Sequence, residues 1–150
     1  MKPGWNEHVL LALATIAWAD GELAPEERAG ILRAAADAGF TGDELGDLEQ
    51  AIEQPRDLDE LHLHRLTAID RTFLFGTGIW LARLDGVEDP SERDALVQLA
   101  ERLMLAPRVQ AGVMRAVDEV AQRGGDANDF DLVALRNTIE RHAAAGWPGG

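Results

Sequence analysis

Two short acidic stretches of the chain carry the residues best suited to chemistry. Each has an Asp-Gly pair, then a proline, then a glutamate seven residues after the aspartate, and the two copies lie 65 residues apart. The carboxylates are Asp20 and Glu27 in the first copy and Asp85 and Glu92 in the second. Hard divalent cations such as calcium, magnesium and manganese prefer carboxylate oxygens as ligands. The spacing therefore indicates two candidate cation sites.

The first copy matches only half of the calcium-loop pattern of an EF-hand. That pattern needs glycine at position 6, a bidentate glutamate at position 12 and oxygen ligands at positions 1 and 3. Gly21 and Glu27 fit positions 6 and 12, but positions 1 and 3 are Ile16 and Trp18. An incomplete oxygen shell predicts weak binding, with dissociation constants of about 10⁻⁴ to 10⁻³ M.

Helix capping is the alternative interpretation of the same acids. In the second copy Asp89 precedes a helix and Glu92 lies three residues on, a pair that can satisfy backbone donors without metal. The first copy has Ala24 at the capping position, which offers no side-chain acceptor, and it adds Glu22 and Glu26. The first copy is therefore predicted to be the better cation site.

Apolar residues at spacings of three and four predict that these loops lie between helices. No segment alternates with period two, so an all-α fold is expected, as a single compact domain over residues 1–150 with a loose tail at 146–150. Residues 16–39 and 81–104 should superpose as equivalent helix-loop-helix units. Seven to eight helices are expected in all, near residues 6–19, 25–39, 41–55, 57–66, 73–84, 90–104, 109–120 and 132–139.

Several local details of these helices are also predicted. Thr41 and Glu44 form a capping-box signature. Gly76 and Gly78 lie inside an apolar helix and indicate either close backbone packing or a break. The apolar face of the sixth helix should include Val97 and Met104. The repeat further predicts that equivalent residues share the core, in the pairs Ile31 with Leu96, Leu32 with Val97, and Ala35 with Ala100.

Composition restricts the function classes. The chain has 150 residues, a net charge of −13 and no cysteine. This charge argues against a nucleic-acid partner and against anionic lipid, and it suits cations or a basic protein partner. The longest apolar run, residues 73–84, is too short to span a bilayer. Without a secretion signal, the protein is expected to be cytoplasmic.

No enzyme signature is present in the sequence. It contains no Gly-rich phosphate loop, nucleophile elbow or HExxH motif. His62 and His64 lie about 200° apart around a helix axis, so they cannot chelate one ion together. A metal-dependent hydrolase would need a catalytic base, and none is identifiable. Two classes remain open: a non-enzymatic metal-binding docking domain and a purely structural acidic helical adaptor.

The doubled pattern resembles the tellurite-resistance TerB-like family over roughly residues 8–122. The resemblance rests on Asp-Gly followed by Glu before an amphipathic helix, twice in an all-helical chain. It implies a helical domain with pseudo-twofold symmetry, working in stress or metal resistance and docking to protein partners. By this resemblance Asp20, Glu27, Asp85 and Glu92 hold the metal ions.

The second copy departs from the pattern of the first. Val87 stands where the first copy has Glu22, and Ser91 stands where it has Glu26. Fewer acids therefore surround the second candidate site, and weaker binding is expected there.

Overall fold

The computed structural model of the chain describes residues 7–18, 25–37, 39–54, 63–83, 90–123 and 131–147. Within these ranges it contains no strand, and no helix there has the length and apolar character needed to cross a membrane. The predicted all-α, single-domain fold is confirmed. The described ranges contain seven α-helices, which are α1 (Glu7–Ala17), α2 (Pro25–Asp37), α3 (Gly42–Ile52), α4 (Ala68–Arg83), α5 (Pro90–Arg102), α6 (Pro107–Arg123) and α7 (Leu132–Ala144).

Helix α4 is the central helix of the fold. Residues 72–81 are all buried, on every side of the helix. Helix α1 packs against α4, while α3 packs on α1 and α6 packs on α4. Helix α2 lies against α1, α3 and α4, α5 lies against α4, and α7 packs on α4 and α6. The core is therefore built around the α1–α4 pair.

Two glycines allow neighbouring helices to approach α4 closely. A Cβ atom on Gly78 would lie 2.9 Å from Leu99 Cδ2 and 3.3 Å from Ile16 Cγ2. One on Gly76 would lie 3.2 Å from Leu135 Cδ2. The helix continues unbroken through both positions. Of the two predicted explanations, close packing is the one that the structure shows.

The predicted repeat extends over three helices. Helices α2 and α5 begin and end 65 residues apart, and the starts of α3 and α6 have the same offset. Buried positions correspond as well, since each residue of the following pairs is buried: Ala34 and Leu99, Ala35 and Ala100, Leu48 and Val113, Ala51 and Ala116, Ile52 and Val117.

The C-terminal ends of α2 and α5 follow the same offset. Gly39 and Met104 both have a left-handed backbone, with φ of 94° and 59°. In each copy this residue donates to the carbonyl three residues earlier, and the next residue donates to the carbonyl five residues earlier, at 3.0–3.2 Å. This is the hydrogen-bond pattern of a Schellman cap. The second copy forms the cap without the usual glycine.

The prediction for the apolar face of α5 is partly wrong. Val97 is 56% exposed and Met104 is 73% exposed. The inward stripe runs through Leu99, Ala100 and Leu103, and Val97 lies about 200° around the helix from Leu99. Residues 95–100 are apolar except for Gln98, and this nearly continuous apolar run concealed in the sequence which side of α5 faces inward. Of the predicted core pairs, Ala35 with Ala100 is confirmed, whereas Leu32 with Val97 is wrong.

The predicted helix over 57–66 is wrong where the structure describes it. Residues 55–62 lie outside the described part, and Leu63–Arg65 form a single 3-10 turn. Thr67 then caps α4: its hydroxyl accepts from the Asp70 backbone N–H at 3.0 Å, and its own N–H donates to the Asp70 carboxylate at 2.9 Å. Helix α4 thereby begins at Ala68, earlier than the apolar pattern predicted.

Helix α7 has no counterpart in the first copy of the repeat. Asp131 caps its N-terminus through a 3.0 Å bond from the Ala134 N–H. After its C-terminus the left-handed Gly146 (φ 85°) brings Trp147 back onto α6. There a Cβ atom on Gly112 would lie 2.4 Å from the indole ring. Within the expected tail at 146–150, Trp147 is thus packed on the fold, and residues 148–150 lie outside the described part.

Candidate metal site

The four predicted ligands differ in what the structure describes of them. Asp20 and Asp85 lie outside the described residues. Glu92 lies in α5, where only its backbone is described. Glu27 is the one predicted ligand with a described side chain, and it is 7% exposed. The geometry of the candidate site is therefore built from Glu27.

Glu27 faces the interior of the protein. It lies in the first turn of α2, on the same side as the buried Gly30, Ile31 and Ala34, at spacings of three, four and seven. Its neighbour Glu26 is exposed. A carboxylate in the first turn is stabilised by the positive end of the helix dipole, but its burial is unfavourable unless hydrogen bonds or cations compensate. Glu27 does have an interaction partner in the chain.

The repeat places the second glutamate in an equivalent position. Helix α2 starts at Pro25 and α5 starts at Pro90, so Glu27 and Glu92 are each the third residue of their helix. The acidic loops 19–24 and 84–89 immediately precede these helices. Among the described residues no group of three or more His, Asp or Glu side chains is placed to hold an ion. A complete site at Glu27 therefore requires carboxylates from the preceding loop.

Sequence reasoning missed a second buried carboxylate. Asp70 is 1% exposed and pairs with Arg136, whose Nη2 lies 2.8 Å from Oδ1. Its other oxygen accepts from the Thr67 N–H. Because both oxygens have protein donors, this carboxylate serves the fold rather than a cation. The Thr-x-x-Asp spacing was a readable capping signal, and an arginine among the apolar residues of α7 hinted at a buried partner.

The described histidines and the acidic residues of α3 are exposed or half-buried residues. His64 is exposed and His142 is half-buried. The His142 Nε2 lies 3.5 Å from Glu119 Oε2, and its ring stacks on Trp147 at 6.2 Å between centroids. The acids of α3 are mostly exposed, and Glu49 forms a 3.4 Å ion pair with Arg28. None of these forms a catalytic constellation within the described part of the chain.

Comparison with known proteins places this architecture in a family. No curated protein and no solved structure matched the chain. One family model matched residues 2–117 and is described as a protein of unknown function. The matched region contains both acidic loops and ends within α6, so α7 lies beyond it. A match over this share of the sequence shows that the chain belongs to the DUF533 family.

Proposed function

We propose that this protein is a non-enzymatic, TerB-like domain that binds divalent cations weakly at its two acidic loops and docks to protein partners. The observation that carries the proposal is the buried position of Glu27. A calcium, magnesium or manganese ion would be held by Asp20 and Glu27 in the first loop, and by Asp85 and Glu92 in the second.

The contrast between neighbouring glutamates supports this assignment. Glu26 and Glu27 both occupy the first turn of α2 and both interact favourably with the helix dipole there. Only Glu27 is turned inward, next to a loop that supplies Asp20 and Glu22. Asp20 and Glu22 are close to Glu27 in the sequence, so burial of the Glu27 carboxylate concentrates negative charge. A bound cation would offset that charge. Glu27, whose side chain turns inward, is thus also the glutamate at position 12 of the cation-binding pattern.

The biological setting is part of the same proposal. A domain that lacks a catalytic base would act by changing its stability or its surface when the ion binds. The net charge of −13 favours basic proteins as partners. A cytoplasmic role in stress or tellurite resistance follows from the TerB-like resemblance.

Metal-dependent thermal stability tests the proposal. Calcium or manganese should raise the melting temperature of the wild-type protein in a concentration-dependent way, because an ion that binds only the native state stabilises it by mass action. Glu27→Gln and Asp20→Asn should abolish this increase. Glu26→Gln is the matched control, because it removes the same charge one residue away and should largely retain the increase.

A purely structural role for both loops is the second candidate function. It is favoured by the partner that Glu27 already has in the chain, and by the capping role of the other buried carboxylate, Asp70. In that case neither ion would alter the melting temperature of any variant, and Glu27→Gln would lower it equally with and without metal. That result would establish an acidic helical adaptor instead.

A further inference from the structure

The exposed large hydrophobic side chains of the described chain lie in the second copy of the repeat. Val97 is 56% exposed, Met104 is 73% exposed and Met114 is 44% exposed. Val97 lies on α5, Met104 lies in the cap that follows it, and Met114 lies on the next helix, α6. All three belong to the segment from α5 to α6, and a concentration of exposed large apolar side chains in one part of a fold marks a candidate contact site.

This apolar surface has a positive border. Arg108 and Arg115 are exposed, lie two turns apart on one face of α6, and form no ion pair within the described part of the chain. The repeat offset relates Arg108 to Asp43 and Arg115 to Gln50 on α3. Each of these two arginines of α6 therefore stands where α3 has an acidic or a neutral residue.

Helix α3 offers the complementary surface. Asp43 and Asp47 are exposed on it and also form no ion pair within the described residues. Gly42 and Gly46 lie beside them, and a Cβ atom on either would meet no other atom within 4 Å. A glycine inside a helix is unfavourable relative to alanine, and no close packing against the described residues accounts for Gly46. Gly42 and Gly46 thus form a flat strip on α3, and Asp43 and Asp47 give this strip a negative border.

The two surfaces cannot satisfy each other within one molecule. Helix α3 packs on α1 and α2, whereas α6 packs on α4 and α7, so the two helices do not pack on each other. We propose that the protein associates head to tail, the α6 surface of one copy (Met104, Met114, Arg108 and Arg115) binding the α3 surface of the next (Gly42, Gly46, Asp43 and Asp47). The methionines pack on the glycine strip and the arginines face the aspartates.

Such an interface is heterologous, so it joins different patches of the two copies. Because each copy has a net charge of −13, the copies repel each other and the association is weak. Salt at about 0.15 M is required to screen that repulsion. The proposal does not depend on metal binding, because neither surface contains the acidic loops.

Sedimentation velocity of the full chain at increasing protein concentration, between about 10 μM and 1 mM, tests the proposal. The wild type should show reversible association. Arg108→Gln with Arg115→Gln should raise the dissociation constant at least tenfold, and so should Asp43→Asn with Asp47→Asn. Arg65→Gln removes one exposed positive charge elsewhere and is the control that should leave association unchanged.

Mixing the two double variants gives the sharpest result. One retains only the α3 surface and the other only the α6 surface, so the mixture should form a 1:1 heterodimer that grows no further. Gly46→Leu should abolish association while the protein remains folded, because the position is open in the monomer. A wild type that stays monomeric at all concentrations, or double variants that do not complement each other, would overturn the proposal.

Discussion

Arg136 of α7 donates a 2.8 Å hydrogen bond to Asp70 of α4, 66 residues earlier in the chain. The two side chains are 8% and 1% exposed. The arginine also lies over the ring of Phe73, at 5.7 Å from its centroid, while the second Asp70 oxygen accepts from the Thr67 N–H. One carboxylate thus both caps the central helix and anchors the helix that lies outside the repeat.

Breaking this pair should be strongly destabilising. Arg136→Met leaves Asp70 buried without its cation, so we expect the free energy of unfolding to fall by about 3–5 kcal/mol. Urea denaturation monitored by circular dichroism would measure it. Arg141→Met is the control on the same helix, because the Arg141 pair with Glu119 is 3.5 Å long and exposed, and such pairs contribute about 0–1 kcal/mol. Equal losses in both variants would contradict a buried, stabilising pair.

The capping box of α3 should make stability depend on pH. Glu44 accepts the backbone N–H of Thr41 at 2.8 Å, and this bond lowers the pKa of its carboxyl below the ordinary value of 4.5. A carboxyl whose pKa is lower in the folded state stabilises the fold above its unfolded pKa. We therefore expect this contribution to be complete above pH 4.5 and to disappear as the pH falls through the lowered pKa.

Glu44→Gln isolates that contribution. Glutamine still accepts the bond from Thr41 but does not titrate, so stability at neutral pH should change little while the decline below pH 4.5 becomes shallower. Asp47→Asn removes a carboxylate one turn further along α3 and should leave the decline as it is in the wild type. Acid unfolding curves of dilute protein compare the two. Identical curves for Glu44→Gln and the wild type would refute the assignment.

Alanine at two helical glycines should have opposite effects. Gly46 has open space around it, so Gly46→Ala should stabilise the protein by about 1 kcal/mol through helix propensity. At Gly78 the added methyl group would lie 2.9 Å from Leu99, and overpacking costs about 1–3 kcal/mol. Thermal unfolding of both variants would test this, and a comparable stabilisation by Gly78→Ala would show that the core adjusts freely.

The equivalent caps of α2 and α5 predict a second pair of opposite effects. Met104 holds a left-handed backbone that costs a residue with a side chain about 1–2 kcal/mol. Met104→Gly should therefore maintain or raise stability, partly offset by the greater freedom of glycine in the unfolded chain. Gly39→Ala introduces the same strain at φ 94° and should lower stability by about 1 kcal/mol. Denaturant unfolding at low protein concentration provides the measurement.

Features that depend on neighbouring residues were the ones that could be predicted from the sequence. The Thr41–Glu44 capping box is confirmed because both bonds span three residues. The repeat predicts matching starts for α2 and α5, and both helices do begin at a proline with the same offset. The superposition of residues 16–39 on 81–104 stays a prediction, because residues 19–24 and 84–89 lie outside the described part. Since such signals are local, they establish where helices begin and end without knowledge of what packs against them.

Features that depend on distant partners could not be predicted in this way. The Asp70–Arg136 pair joins residues that no local pattern connects. The exposure of Val97 is determined by which side of α5 meets α4, and apolar composition alone suggested the wrong side. For the candidate site, the pattern predicted Glu27 as a ligand, but its buried orientation is set by how α2 rests on the core. The metal assignment stays a prediction.

The long separation between Arg136 and Asp70 also affects how the fold forms during synthesis. A growing chain completes α4 well before residue 136 emerges from the ribosome, and until then the Asp70 carboxylate and the Gly76 surface of α4 lack the helix that covers them. Contacts between distant residues form slowly because a long loop must close first. We therefore expect the seventh helix to complete the core last during synthesis, and a nascent chain that lacks it to expose apolar surface open to misassembly or chaperone binding.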